Sequence, residues 1–494
     1  MKRNFGNVIV AVSLILSLAC NNAGAQVTAR VEYPYDGDYT GRCMIPLDDI
    51  GAMSVAFSKH SKGGKNIFME DFYSTDLKLL KTDSLAVDRQ LDYYDNVLKD
   101  GVNYSLLTSK RGAYGVVAFD TRSRQSRMVS GQFKVKNWSL EYPKVDEDRL
   151  VFCSTEGKRG RGKDHVGIIN LLTGEGRMVD IRFKGLRPHD VELLESTIID
   201  GKIQVMVKAK EDIYLVRLDM DGRELERLCL TENLDEHILT ASVSKAGSAL
   251  FVTGTYAKRE RRGAANGIFF ARLGREHFDF IRFYNFLDLT NFTGYMSDRK
   301  KAKVERRKAK AEKNDKEMFL DYLLTSHDII EQGDCYYYLG EAYYPTYSTM
   351  YNGRSAYTVF NGYAYTHAVI VKFDRQGNRL WDCCFPMKPS EKPYYVKHFV
   401  TMSLSPSGQI LCLYGDGKQL VSKIFSDSDG SVVKDRQKEL LETDDDREDV
   451  KKAGLTNTLH WYDNNFMVFG NQVVKNHATG ERRRVIYINK YTME

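Results

Sequence analysis

An apolar strand that runs into an Asp or Asn, a short polar turn and a second strand recur eight times along this chain. The clearest copies place the anchor at Asp120, Asn170, Asp219 and Asp374; weaker copies surround Asp76, Leu273, Asp427 and Asn489. The anchors stand roughly 50 residues apart, and a supersecondary unit recurring at about that period is the signature of a β-propeller. No single unit of this kind can bury both its faces, so neighbours must stack. The expected fold is therefore all-β, with eight four-stranded blades. Seven is the alternative count, because the first copy, through residues 66–88, is the least regular. The long interval between Leu273 and Asp374 holds an insertion.

Each blade is an antiparallel meander from inner strand A to outer strand D. Around Asp219 the pattern predicts A near 190–195, B over 203–207, C over 213–218 and D over 224–230. Asp219 to Gly222 forms the C–D hairpin, since Asp and Gly supply the positive φ of a tight turn. The C-terminus offers strands at 458–462, 466–474 and 484–491 and then stops. An unpaired edge is a liability, so a segment near 27–35 is expected to supply the missing fourth strand. The insertion, 295–318, is rich in helix formers with Ser297 or Asp298 as cap candidates. It reads as an exposed cationic helix; without an apolar stripe it should project from the body or lack fixed structure.

Residues 1–25 have the three parts of a secretory signal peptide: Lys2 and Arg3, an apolar run from Val8, and Ala23-Gly24-Ala25 before Gln26. The remainder, 26–494, reads as one exported propeller domain in a periplasmic or cell-envelope setting. Residues 16–20 also resemble a lipobox ending at Cys20, with Ser17 where that motif has Leu. The alternative is thus an outer-membrane lipoprotein held peripherally through lipid on Cys20. The other cysteines, Cys43, Cys153, Cys229, Cys335, Cys383, Cys384 and Cys412, are dispersed and form neither a disulfide framework nor a zinc set. They read as small buried hydrophobes, with Cys383 and Cys384 on opposite faces of one strand.

The net charge of +6 is small for 494 residues, but its distribution is informative. In a meander, the B–C and D–A connections leave from one end of the blade. That end collects Lys59 to Lys65, Lys110-Arg111, the run containing Arg159 and Arg161, the run containing Arg259, Arg261 and Arg262, the cluster Arg482, Arg483 and Arg484, and the cationic helix. Convergent positive loops attract anions, although charged loops are as often merely solvated. The acidic run 444–449 falls at the same end, where pairing with the cationic helix would neutralise it. A long B–C loop in the copy around Asp374 carries Tyr347, Tyr351 and Tyr357 among seven tyrosines, a composition that suits sugar stacking or protein contact as well as self-packing.

His189, His237, His327, His398 and His460 are expected at the starts of inner strands, around the channel mouth, with Asp190 and Asp328 beside two of them. Ties between blades are the first expectation for them, and a ligand pocket the second. No spacing supports a metal. Residues 157–163 fit most of a phosphate-binding loop, but Asp164 stands where Ser or Thr must hold magnesium and no helix follows, so that motif is set aside. No catalytic residue, no metal and no cofactor is assigned.

The turn Phe373 to Trp381, with Thr173-Gly174 in another copy, resembles the repeat of pyrroloquinoline-quinone-type and WD40-like bacterial propellers, in which an Asp-x-x-x-Gly turn precedes a docking Trp. The chain also looks like uncharacterised exported propellers of Gram-negative envelopes. That family includes quinone dehydrogenases and non-enzymatic envelope assembly lipoproteins; without repeated docking tryptophans the resemblance implies fold and leaves activity open. The expectation is a non-enzymatic envelope or periplasmic binding or scaffold protein. Its basic, Tyr-rich face would bind an envelope protein or an anionic glycan or lipid, and nucleic acid is excluded by export. The alternative is a glycan- or ester-processing enzyme with its site at the channel mouth.

Overall fold

The computed structural model describes residues 26–35, 37–60, 63–157, 162–232, 234–246, 249–258, 263–351 and 355–493. The signal peptide, Cys20, and Arg159, Arg161, Arg259, Arg261 and Arg262 lie outside them. The described chain forms eight antiparallel sheets, each a meander of strands A to D, and is a β-propeller of eight blades. The irregular first copy is a complete blade (Tyr39–Leu47, Gly51–Ser58, Lys65–Tyr73, Leu79–Asp88), which removes the seven-blade alternative.

Two compact units divide the chain. The first comprises blades 1, 7 and 8. Blade 8 runs Glu448–Tyr462, Asn465–Asn476, Arg482–Thr492 and is completed by Gln26–Pro34, which pairs antiparallel with Arg482–Thr492. The expected N-terminal closing strand is thus present. It is locked by Arg30, 5% exposed, which donates to Glu32, Gln472, Asn489 and the Glu442 carbonyl. The anchor expected at Asn489 falls inside a strand instead, because this blade has no C–D hairpin: its D strand arrives from the other end of the chain.

The second unit comprises blades 2 to 6, at 92–132, 138–179, 191–229, 236–285 and 323–386. Its cores lie between consecutive blades. One cluster joins Leu106, Val116 and Phe133 to Leu150 and Phe152; the next joins Val151, Val166 and Ile168 to Ile203, Val205 and Val216. Face-to-face burial of apolar strands is what holds such a unit together, at roughly 25 cal/mol per Å² removed from water.

The repeat anchors work by a local mechanism. Asp120, Asn170, Asp219 and Asp374 each turn a side-chain oxygen back onto two backbone N–H groups of the following hairpin. Gly222 completes its turn at φ 81°, a conformation that costs little only for glycine. In blades 1 and 7 a serine, Ser74 or Ser426, takes this role, which is why those copies look weak in the sequence.

The insertion forms one helix, Asp298–Glu312, after Ser297. It is ordered rather than loose, and its flanks hold it. Asp382 accepts the Thr290 and Asn291 N–H groups, Phe286, Phe292 and Tyr322 pack together, and Val304 is the one buried residue of the helix itself.

Candidate functional site

The histidines do not form one ring at a channel mouth. His237 lies near the start of the blade 5 inner strand as expected, buried, with Nδ1 2.9 Å from Glu211 and Nε2 accepting from Lys208. His189 sits in a short 3-10 turn, Pro188–Asp190, where Asp190 is occupied by Arg187 and held below the usual carboxylate range by it. His460 is near the far end of its strand, not the beginning, and bonds Ser403 and the Asp463 carbonyl. Only His327 and His398 come together, with rings stacked 3.9 Å apart. His327 donates to the fully buried Glu341 at 2.8 Å, and His398 bonds Thr325. Burial, with His327 alongside, holds His398 down to about 4. These are chiefly structural ties, the commonest fate of polar residues between packed elements.

What does converge in the second unit is a set of which the sequence pointed only to Asp328. The inner strands of blades 2 to 5 each carry a register break, at Tyr93/Asp95, Glu141/Lys144, Leu193/Glu195 and Ile238/Thr240. The inner strand of blade 6 is split between Leu323–Ser326 and Ile330–Gln332, with His327 and Asp328 in the gap. Bulges re-aim side chains. Here they bring Lys144 to 3.9 Å from Asp328 and within electrostatic reach of Asp95 and Glu195. Burial, reinforced by the charge of Asp328, pushes Glu195 up to about 7, against the Val243 N–H and Lys144. Tyr142, at φ 57°, stands among Glu141, Glu195 and Asp328. Paired carboxylates with displaced pKa values are the raw material of acid–base chemistry. Asp95 and Glu195 stand within the inner strands of blades 2 and 4, and Asp328 in the gap of blade 6, a pattern too irregular to single them out from the sequence. No group of three or more His, Cys, Asp or Glu residues disposed to hold a metal occurs among the described residues.

The described basic residues are unequal. Arg483 is engaged by Glu32 and Glu448, whereas Arg482 and Arg484 are exposed and form no ion pair among the described residues. The acidic run turns out to pair with its own surroundings: Asp445 with Arg447, Glu448 with Arg483, and Asp449 with Lys451 and His477.

The tyrosine-rich segment is not a loop. It is a two-stranded ribbon made by overlong B and C strands of blade 6, Cys335–Tyr351 and Ala356–Asp374, of 17 and 19 residues. Strand A pairs only as far as Tyr343 and strand D only from His367, so beyond them the ribbon has no sheet neighbour. Tyr347 faces Phe360 across it, and Phe360 packs on Tyr363 and Tyr394. The Tyr363 N–H donates to the Pro393 carbonyl, pinning the base. Tyr347 is 61% and Tyr351 79% exposed, with Tyr344, Met350, Tyr357, Tyr394 and Tyr395 also open to solvent.

Sequence profiles of known protein families give no match to this chain, and neither do characterised proteins. Among solved structures it is similar to the WD40 domain of SCAP from fission yeast (9% identity, TM-score 0.41, 93% of this chain and 97% of that one). It is also similar to the polysaccharide lyase Uly1 (9%, 0.40, 95% and 100%). A prolyl endopeptidase matches at 10% and 0.41 over 81% of this chain, which spans only 50% of that enzyme.

Proposed function

We propose that this is a non-enzymatic binding or scaffold protein of the bacterial envelope, exported and either periplasmic or lipid-anchored through Cys20. Its partner is an anionic glycan or a glycan-bearing envelope protein. The observation that carries the reading is the blade 6 ribbon: a row of tyrosines left to solvent, which among the described residues is covered only at its base by Pro393 and Tyr394. A lone two-stranded hairpin is marginal in water, and a large exposed aromatic surface marks an interaction site. Tyrosine offers a flat apolar face and a hydroxyl tip at low entropic cost. From Tyr343 to Tyr365 the sequence holds one charge, Arg354, so sugar or protein can approach without desolvating ions. The ribbon leaves blade 6 from the end that also carries Lys110, Arg111, Lys163 and the cationic helix, cations suited to an acidic glycan.

The test is affinity electrophoresis through gels containing polygalacturonate or alginate. The wild-type protein should be retarded. Replacing Tyr347, Tyr351 and Tyr357 by Ala should weaken retention at least about tenfold, at ~0.5–1.5 kcal/mol per aromatic contact. No retardation of the wild type, or equal retardation of the variant, would overturn the reading.

The Glu195, Asp328 and Lys144 set favours one alternative, a glycan- or ester-processing enzyme. Glu195→Gln and Asp328→Asn separate the two: hydrolysis or elimination would be lost in both, while retention through the ribbon would be unchanged.

A further inference from the structure

Away from the ribbon and the inner strands, the structure contains a cavity of about 300 Å³ beside the blade 3 to blade 4 connection. It lies at the lower end of the size range of small-ligand sites, roughly 300–1,000 Å³. One side is apolar, formed by Ile181, Phe183, Leu186, Pro188 and Val191; the other presents Lys163, Arg182, Arg187, Asp164 and Asp180.

The charged side is uneven in its donors. Asp180 Oδ2 accepts from Lys163 Nζ and from Arg182 Nη2, both at 2.8 Å, and Oδ1 accepts from His165 Nδ1 at 2.8 Å. One carboxylate thus serves two cations and an imidazole. Burial works against its charge, but the Lys163 and Arg182 bonds overcome it and bring Asp180 down to about 2. An ammonium has three N–H donors and a guanidinium five, so both cations keep spare donors beyond their bond to Asp180. The remaining acids are committed elsewhere: Asp164 accepts the Leu193 N–H, and Asp190 holds Arg187. Arg227 donates to the Arg182 carbonyl while stacking on Phe183 at 4.0 Å, which ties down the backbone there. His165 is 5% exposed and its Nε2 has no hydrogen-bond partner; Glu156 is 3.7 Å away. The exposed cations of this wall are thus tied, through Asp180, to the buried His165.

We propose that this cavity binds a carboxylate carried on a ring, the anion engaging the spare donors of Lys163 and Arg182 while the ring lies against Ile181, Phe183 and Leu186. Two sources share this chemistry: a uronic acid residue of a polysaccharide, and a free aromatic acid. Lys163, the last residue of the segment set aside above as a phosphate loop, would then serve an anion after all. The inference does not rest on the ribbon and stands or falls separately.

The test is titration calorimetry on the full chain with trigalacturonate and with benzoate, each beside a neutral twin, the trigalacturonate methyl ester and benzyl alcohol. At least one acid should bind, and its neutral twin should bind at least tenfold more weakly. Lys163→Gln with Arg182→Gln should lose at least tenfold in affinity, and Phe183→Ala several-fold. Both cations bond Asp180, so the melting temperature of the double variant is measured beside its affinity; Arg182→Gln alone, which leaves the Lys163 bond in place, is the milder variant and should still weaken binding several-fold. Binding of trigalacturonate alone assigns the site to acidic polysaccharide, and of benzoate alone to free aromatic acids. If neither acid binds, if a neutral twin binds equally, or if the double variant binds unchanged, the inference is wrong. The ribbon variant should bind whichever acid the wild type binds, with unchanged affinity, which keeps the two readings distinguishable.

Discussion

Glu195 sets the most specific expectation at the scale of a single residue. Its carboxyl is pushed from 4.5 to about 7 in the folded protein, so the native state binds a proton there that the unfolded chain releases. Stability from this group is full below pH ~4.5 and is lost as pH rises through ~7, on the order of 3–4 kcal/mol, since each pKa unit is about 1.4 kcal/mol. Glu195→Gln should flatten that slope, read as the difference in urea midpoint between pH 5 and pH 8. On the acid side His367 and His398 act in the opposite sense. Burial holds them at about 3 and about 4, so their contribution is present above ~6.5 and is lost as pH falls. His367 is enclosed by Tyr295, Phe292 and Tyr322, and His367→Phe should remove part of the acid sensitivity. An unchanged midpoint between pH 6.5 and pH 4 in wild type would contradict this assignment.

At the scale of the element, the turns were legible in the sequence and the bulges were not. Asp219 and Asp374 announce their hairpins because an Asx turn is local chemistry, complete within about four residues. A bulge is one extra residue in a strand whose apolar pattern is otherwise intact. Nothing in the sequence flags that Glu141, Glu195 and Asp328 are turned toward a common region. The tyrosine segment was legible in composition but not in conformation: alternating Tyr, Thr and Ser are good strand formers, and the length of the segment suggested a loop. The histidines misled because each was expected at the start of an inner strand, whereas His460 lies near the end of its strand and His189 in a short turn before one. Two elements carry predictions. Deleting Gln26–Pro34 leaves Arg482–Thr492 as an open edge and orphans Gln472 and Asn489; the expected loss exceeds about 4 kcal/mol, and the 26–34 peptide added in trans should restore part of it in thermal melts. Replacing residues 346–361 by Asn-Gly should move the melting temperature by no more than about 2 °C, because that stretch packs on no blade core.

At the scale of the whole molecule, stability and binding are carried by different parts. The blades are held by apolar faces and closed by the N-terminal strand, whereas the exposed tyrosines add little to any core. On the proposed reading, the exposed aromatic ribbon and the cations of the second unit serve contact with a large partner. The measurement that tests this most directly is amide hydrogen exchange with and without alginate or polygalacturonate. Protection concentrated in 344–364 and 392–397, absent in the variant with 346–361 replaced, is the predicted result. Protection elsewhere with the ribbon unaffected, or none with either glycan, would contradict the account.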